Sequence, residues 1–281
     1  MHINELPIGV FDSGLGGLTS VREIKKILPC EDILYFGDTG RLPYGTRSPE
    51  IIQKYACDDM NFLLTHSVKA ILVACGTVSS TAIDLLRRSF DIPIFGVVEP
   101  ACEKAVRLSE TGRIAVLATP STIRTGAFDR TIAARRPEAK VCGVGCPMFV
   151  PLVENGYIAR DCEVTRSIAA EYVSKLVSFD PDVIILGCTH YPLIKDIVSD
   201  AAQTLLGKPV TLVDSGSAAA DALKVHLQSA KLLKTGSESG KTSYFVSDRP
   251  CDFAKTASLF LGENAENVTQ IDIERYLYTR S

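Results

Sequence analysis

Residues 70–80 read A-I-L-V-A-C-G-T-V-S-S, and residues 183–193 read V-I-I-L-G-C-T-H-Y-P-L. Each is a short apolar run that ends on a cysteine and passes into small or hydroxylated residues. An apolar run of this length without polar alternation is the pattern of a strand buried on both faces, as in a parallel sheet covered by helices. Similar runs stand at 8–12 (I-G-V-F-D), 32–36 (D-I-L-Y-F), 92–97 (I-P-I-F-G-V), 114–118 (I-A-V-L-A) and 210–214 (V-T-L-V-D), each followed by a longer segment with helical spacing. This alternation predicts an α/β fold built on parallel sheets.

The two halves of the chain also echo each other. V-F-D-S-G at 10–14 matches L-V-D-S-G at 212–216, and a cysteine-ended run lies roughly mid-way through each half. A duplicated unit accounts for both echoes. The expected architecture is two similar parallel-sheet α/β domains, 1–97 plus 212–281 and 98–211, with the active site in the cleft between them. A chain of 281 residues, 46% hydrophobic, is long enough for two cores at ~100 to 200 residues per domain. K-T-G-S-E-S-G-K-T-S at 234–243 reads as a polar loop within the returning segment.

Thirty basic against 33 acidic side chains leave a net charge of -3, without a Lys/Arg block suited to a phosphate backbone, so nucleic acid is not expected as a partner. The opening M-H-I-N-E-L-P-I-G-V has no basic n-region followed by a long apolar stretch and does not read as a signal peptide. No run approaches the ~18 to 20 apolar residues of a membrane span. Nine scattered cysteines, an odd number without paired spacing, fit a reducing cytoplasm better than a disulfide framework. The closest pair, in C-G-V-G-C at 142–146, has no second pair or nearby histidine for zinc and reads as two semi-buried thiols.

Open parallel sheets bind ligands beyond the carboxyl ends of their strands, which is where Cys75 and Cys188 fall. A helix N-terminus there is expected to pull a thiol below its free value of ~8.5. Two thiols in equivalent positions of two facing domains would address opposite faces of one small ligand, the layout needed to invert a stereocentre by general acid–base chemistry. D-S-G-L-G-G at 12–17 lacks the full G-x-G-x-x-G pattern and gives little support for a nucleotide. Asp12 in that turn would either pair with an ammonium group and tune a neighbouring thiol or cap the next helix. His190 could orient or protonate groups in the cleft. Gly37-Asp38-Thr39 and Leu42-Pro43-Tyr44-Gly45 read as a loop that fixes backbone N–H groups. Thr119 and Thr122 offer hydroxyls for a carboxylate or a helix cap.

These residues together resemble the glutamate racemase family. The likeness is chain-long, through V-F-D-S-G-L-G-G-L-T, Y-F-G-D-T-G-R-L-P-Y-G-T, Cys75, G-V-V-E-P, T-P-S-T-I, F-V-P-L-V-E, L-G-C-T-H-Y-P-L and V-D-S-G, in the family's order. Aspartate racemases share the two-cysteine plan but are less similar at C-T-H. The resemblance implies cofactor-independent interconversion of L- and D-glutamate for peptidoglycan synthesis, with no metal. It implies Cys75 and Cys188 as the acid–base pair, Asp12 beside the first, and Glu154 and His190 near the second. It also implies that Asp12, Ser13, Tyr44, Gly45, Thr77, Thr189 and His190 line the substrate site, with Gly76, Thr119 and Thr122 added from the reading above. The expected partner is a small amino acid, glutamate, with room for a homodimer.

The family normally has asparagine after the first catalytic cysteine, and this chain has Gly76. A lost hydrogen bond to a charged group costs roughly 1.5 to 3 kcal/mol, so Gly76→Asn is expected to tighten glutamate binding and raise kcat/KM; the other outcome, in a pocket shaped to suit glycine, is a clash that lowers activity. Gly76 also keeps open a racemase of another amino acid and a homologue that binds without turnover. A thiol oxidoreductase would use the two cysteines differently and needs them close enough to join.

Overall fold

The computed structural model describes residues 2–278. Its strands, in chain order, are β1 (Ile8–Asp12), β2 (Ile33–Gly37), β3 (Ala70–Val73), β4 (Ile94–Gly96), β5 (Arg113–Ala118), β6 (Lys140–Gly145), β7 (Val183–Leu186), β8 (Thr211–Asp214), β9 (Thr242–Val246) and β10 (Val268–Gln270). They form one sheet in the order β10-β9-β2-β1-β3-β4 and a second in the order β6-β5-β7-β8, and every pairing is parallel. The central strands β1, β3 and β7 are buried throughout, which is why their sequences are apolar without alternation.

The expected boundary after residue 211 is corrected by the pairing. Thr211, Leu212, Val213 and Asp214 all pair with β7, so that boundary runs through β8 and the second sheet extends to Asp214. The V-D-S-G echo therefore closes the second unit; Asp214 then caps the returning helix Ser215–Ser229 by accepting a hydrogen bond from the Ser217 N–H at 3.0 Å. The polar stretch 234–243 is loop only as far as Lys241, because Thr242 and Ser243 open β9.

The chain crosses to the second sheet through the helix Val98–Leu108 and comes back through Ser215–Ser229, and these two helices pack together. One buried core runs through both units and includes Val10 and Leu72 of the first sheet, Leu117 and Leu186 of the second, and Leu223 and Leu227 of the returning helix. Each unit adds an outer core of its own, around Phe36 and Phe62 in the first and around Ile114 and Ile185 in the second. The shared core fixes the two sheets against each other and thereby sets the shape of the cleft.

Register then decides what reaches the cleft. Phe11 pairs with Val73 and Leu117 with Leu186. Two residues beyond each pair stand Ser13 with Cys75, and Thr119 with Cys188, so each cysteine emerges level with a hydroxyl on the neighbouring strand. Among the described residues no helix is long and apolar enough to cross a membrane.

Candidate active site between the two sheets

A cavity of about 690 Å³ opens where the carboxyl ends of the two sheets face each other. The residues expected to be catalytic or to bind substrate line it: Asp12, Ser13, Tyr44, Gly45, Cys75, Gly76 and Thr77 from the first unit, and Thr119, Thr122, Glu154, Cys188, Thr189 and His190 from the second, whereas Gly37, Asp38 and Thr39 do not. Both cysteines are buried at 6% exposure, and no disulfide joins any two cysteines among the described residues.

On the first side, Asp12 is buried at the end of β1, and its Oδ2 accepts a hydrogen bond from the Gly17 N–H at 2.8 Å. The carboxylate therefore braces the turn 12–17, while Gly17 itself occupies the cap position of the helix Leu18–Ile27, without a side-chain cap. Ser13 Oγ lies 3.4 Å from Cys75 Sγ. Burial, followed by the charge of Asp12, pushes the Cys75 thiol up to about 12, against the smaller lowering effect of Ser13 and the Val78 amide. This overturns the expectation of a thiol lowered by a helix N-terminus. The helix Gly76–Thr81 has six residues, and its amide does not offset desolvation beside a carboxylate.

The second side has the opposite character. His190 Nε2 is 3.0 Å from Glu154 Oε1, and its Nδ1 is 3.9 Å from Cys188 Sγ. Burial acts to lower the imidazole, but its hydrogen bonds to Cys188 and Glu154 outweigh this and raise it from 6.5 to about 10. The charged ring donates from both nitrogens, one N–H toward Glu154 and the other toward the sulfur. The edge of Phe260 packs on it, with ring centroids 5.2 Å apart.

Contacts between the units close the walls. Thr77 Oγ1 lies 3.4 Å from Thr119 Oγ1 and 3.5 Å from Thr122 Oγ1, and the last two hydroxyls are 3.0 Å apart. Thr119 also caps its helix by accepting from the Thr122 N–H, which is the cap reading of this threonine. Thr19 Oγ1, in the first turn of the helix Leu18–Ile27, donates to the Thr189 carbonyl at 2.9 Å, tying that helix to the C-T-H turn.

The loop carrying Tyr44 and Gly45 rests on a buried charge network that the sequence reading missed. Arg41 binds Asp38 at 2.5 Å, Asp58 at 2.8 Å and Asp59 at 2.7 Å, and its guanidinium lies over the Tyr55 ring at 4.2 Å. Tyr44 donates its hydroxyl to Asp38 and also meets Asp59, so this tyrosine presents its ring to the cavity with its hydroxyl already engaged. Burial and then the charge of Asp38 raise Asp59 well above the usual carboxylate range. The available signal was an adjacent acidic pair, Asp58-Asp59, at buried positions of the helix Pro49–Leu64.

Cys146 is a second omission. It is fully buried and lines the cavity, whereas Cys142 is half-buried, so the description of both as semi-buried holds for Cys142 alone. Gly76 brings a third change. A Cβ built at Gly76 would lie 2.5 Å from the Gly187 carbonyl oxygen. The space expected to be open for asparagine is occupied by backbone, and the expected gain from Gly76→Asn becomes a loss.

Residues 22–223 match the family described as Asp/Glu/Hydantoin racemase. The chain is 42% identical over 267 residues to the glutamate racemase of Geobacter metallireducens, covering 95% of this chain and 97% of that one. It is 39% identical over 266 residues to the glutamate racemase of Chlorobaculum tepidum, covering 94% and 96%. Its fold matches the crystal structure of glutamate racemase from Francisella tularensis in complex with D-glutamate with a TM-score of 0.88 at 35% identity, over 97% of this chain and all of that one.

Two outcomes follow from this geometry. Removing the cation by Arg41→Ala leaves the carboxylates of Asp38, Asp58 and Asp59 buried together, at a cost of about 3 to 5 kcal/mol. Carboxyls raised in the folded state lose stability as pH rises, so urea midpoints should fall further at pH 8 than at pH 5; a uniform or absent loss would contradict the network. For His190, the contribution of a raised imidazole is complete below the unfolded value of ~6.5 and is lost as pH rises through about 10. Proton NMR should therefore find the His190 midpoint moved to lower pH in Glu154→Gln, and an unmoved midpoint would exclude Glu154 as its support.

Proposed function

The chain belongs to the Asp/Glu/hydantoin racemase family, and we propose that it interconverts L- and D-glutamate by a two-cysteine acid–base mechanism that supplies D-glutamate for peptidoglycan synthesis. The observation that carries this reading is the placement of Cys75 and Cys188 at equivalent strand ends of two facing sheets, on one cavity. Nine scattered cysteines, an odd number without paired spacing, support a reducing, cytoplasmic setting.

In the proposed reaction the substrate ammonium meets Asp12, and a carboxylate meets hydroxyls among Thr77, Thr119 and Thr122. For L-glutamate, Cys188 acts as thiolate. The Cα–H bond breaks, its proton passes to the Cys188 sulfur, and its electron pair is left at Cα. The Cys75 thiol then delivers its own proton to the opposite face of that carbon. Turnover leaves Cys75 as thiolate and Cys188 as thiol, the state needed for D-glutamate.

The electrostatics support this order of events. A Cys75 thiol at about 12 is protonated in the empty cleft and is thus poised as the acid for the L-isomer. A bound ammonium would offset the Asp12 charge that raises it, easing formation of the thiolate as the proton leaves. On the other side, the His190 imidazolium is a donor directed at Cys188, where negative charge is needed first. Inversion also requires both sulfurs near Cα at once, and the position of both cysteines on one cavity, between sheets that share a core, supports this.

Cys75→Ser and Cys188→Ser should each lower glutamate racemisation by about 10³-fold or more, because a serine hydroxyl is a far weaker acid and acid–base groups contribute roughly 10² to 10⁴. Unfolding temperatures should stay near that of the wild type. Wild-type rates in either variant, measured by circular dichroism of the glutamate pool, would overturn the two-cysteine mechanism.

A further inference from the structure

We infer that Gly76 is a spacing residue: its missing side chain lets the Cys75 turn close onto the Gly187 carbonyl beside Cys188, so that both sulfurs reach one carbon. This inference rests on the two-cysteine reading above. Gly76 follows the first cysteine and Gly187 precedes the second, so their contact couples directly to the two sulfurs.

The backbone at 76 does not itself demand glycine. Its φ lies outside the left-handed region that marks six other glycines of the chain, and it opens a regular helix, Gly76–Thr81. What the position demands is room. A Cβ there meets the Gly187 oxygen at 2.5 Å and the carbon of the same carbonyl at 3.6 Å, and the nearest atom of any other residue is Thr122 Oγ1 at 3.9 Å. The obstacle is thus one backbone carbonyl belonging to the other unit.

Neither partner of this contact has freedom to retreat. The Gly187 N–H donates to the Leu117 carbonyl at 2.8 Å, which keeps the residue in register with β5. Its surroundings are also full, since a Cβ at 187 would meet Ala118 and Phe128 at 3.1 Å. On the first unit, the Ser79 N–H holds the Cys75 carbonyl at 2.8 Å, and Ser79 Oγ accepts from the Val97 N–H at 3.0 Å. Relief of the clash therefore falls on the spacing between the units. Reaching an ordinary C···O separation of about 3.3 Å requires nearly 1 Å of movement, and a misplacement of that size costs about 10²-fold in rate.

A spacing role separates from a substrate-contact role by its response to side-chain chemistry. Asparagine would restore donors and an acceptor, and alanine would add a methyl group alone; both carry the Cβ. Gly76→Ala and Gly76→Asn should each lower kcat for glutamate by about 10²-fold, with the loss carried by kcat more than by KM. The crystal structure of Gly76→Ala should show Cys75 and Cys188 farther apart than in the wild type. Wild-type kcat in Gly76→Ala, improved turnover in Gly76→Asn, or an unchanged separation of the sulfurs would each overturn the inference. If the wild-type protein fails to turn over glutamate, the functional reading falls, and the separation in the variant structure still decides the spacing role.

Discussion

Parallel pairing of β1 with β3, and of β5 with β7, is the constraint on which the cleft depends. A parallel sheet delivers all its carboxyl ends to one edge, and the register Phe11 to Val73 and Leu117 to Leu186 brings each cysteine out level with a hydroxyl residue on its neighbour. Two such edges face each other because the core that buries Val10 and Leu72 is continuous with the one that buries Leu117 and Leu186. Slipping either pair by one residue would turn its cysteine to the opposite face of the sheet. The symmetry of the site is thus a consequence of backbone hydrogen bonding before any side chain takes part.

That geometric symmetry is combined with electrostatic asymmetry. Cys75 shares its side with a buried carboxylate and is held as a neutral thiol, while Cys188 shares its side with an imidazolium supported by Glu154. The proposed exchange, in which one sulfur takes the proton from Cα and the other delivers its own to the opposite face, needs the two sulfurs in opposite protonation states. Different neighbours on equivalent strand ends, a carboxylate on one side and an imidazolium on the other, give the two sulfurs different surroundings. The Arg41 network performs a separate task, anchoring the loop that carries the Tyr44 ring.

Much of this was legible in the sequence because its signals are local. Unalternated apolar runs identify parallel strands, and residues at strand ends lie close to the cleft whatever the details of packing, which is why Cys75, Cys188, Asp12 and Thr119 could be placed. The missing parts depend on contacts between distant segments. Asp58 and Asp59 gain meaning only when the helix Pro49–Leu64 packs beneath Arg41, and the rise of Cys75 depends on burial that no local pattern reports. The β8 boundary failed because V-T-L-V-D ends like the first strand but pairs with β7. Gly76 was read through the side chain it lacks, whereas its environment is set by a carbonyl 111 residues further along the chain (187 − 76 = 111).

The central claim is that both cysteines act on one Cα, so the decisive measurement follows the hydrogen on that carbon. Proton NMR of L-glutamate, and separately of D-glutamate, with the protein in deuterated water should show the α-proton signal vanish from either enantiomer. Optical activity should decay to zero in the same samples without added cofactor. Saturable binding of glutamate with an undiminished α-proton signal and retained optical activity would contradict the account and leave a protein that holds an amino acid without inverting it.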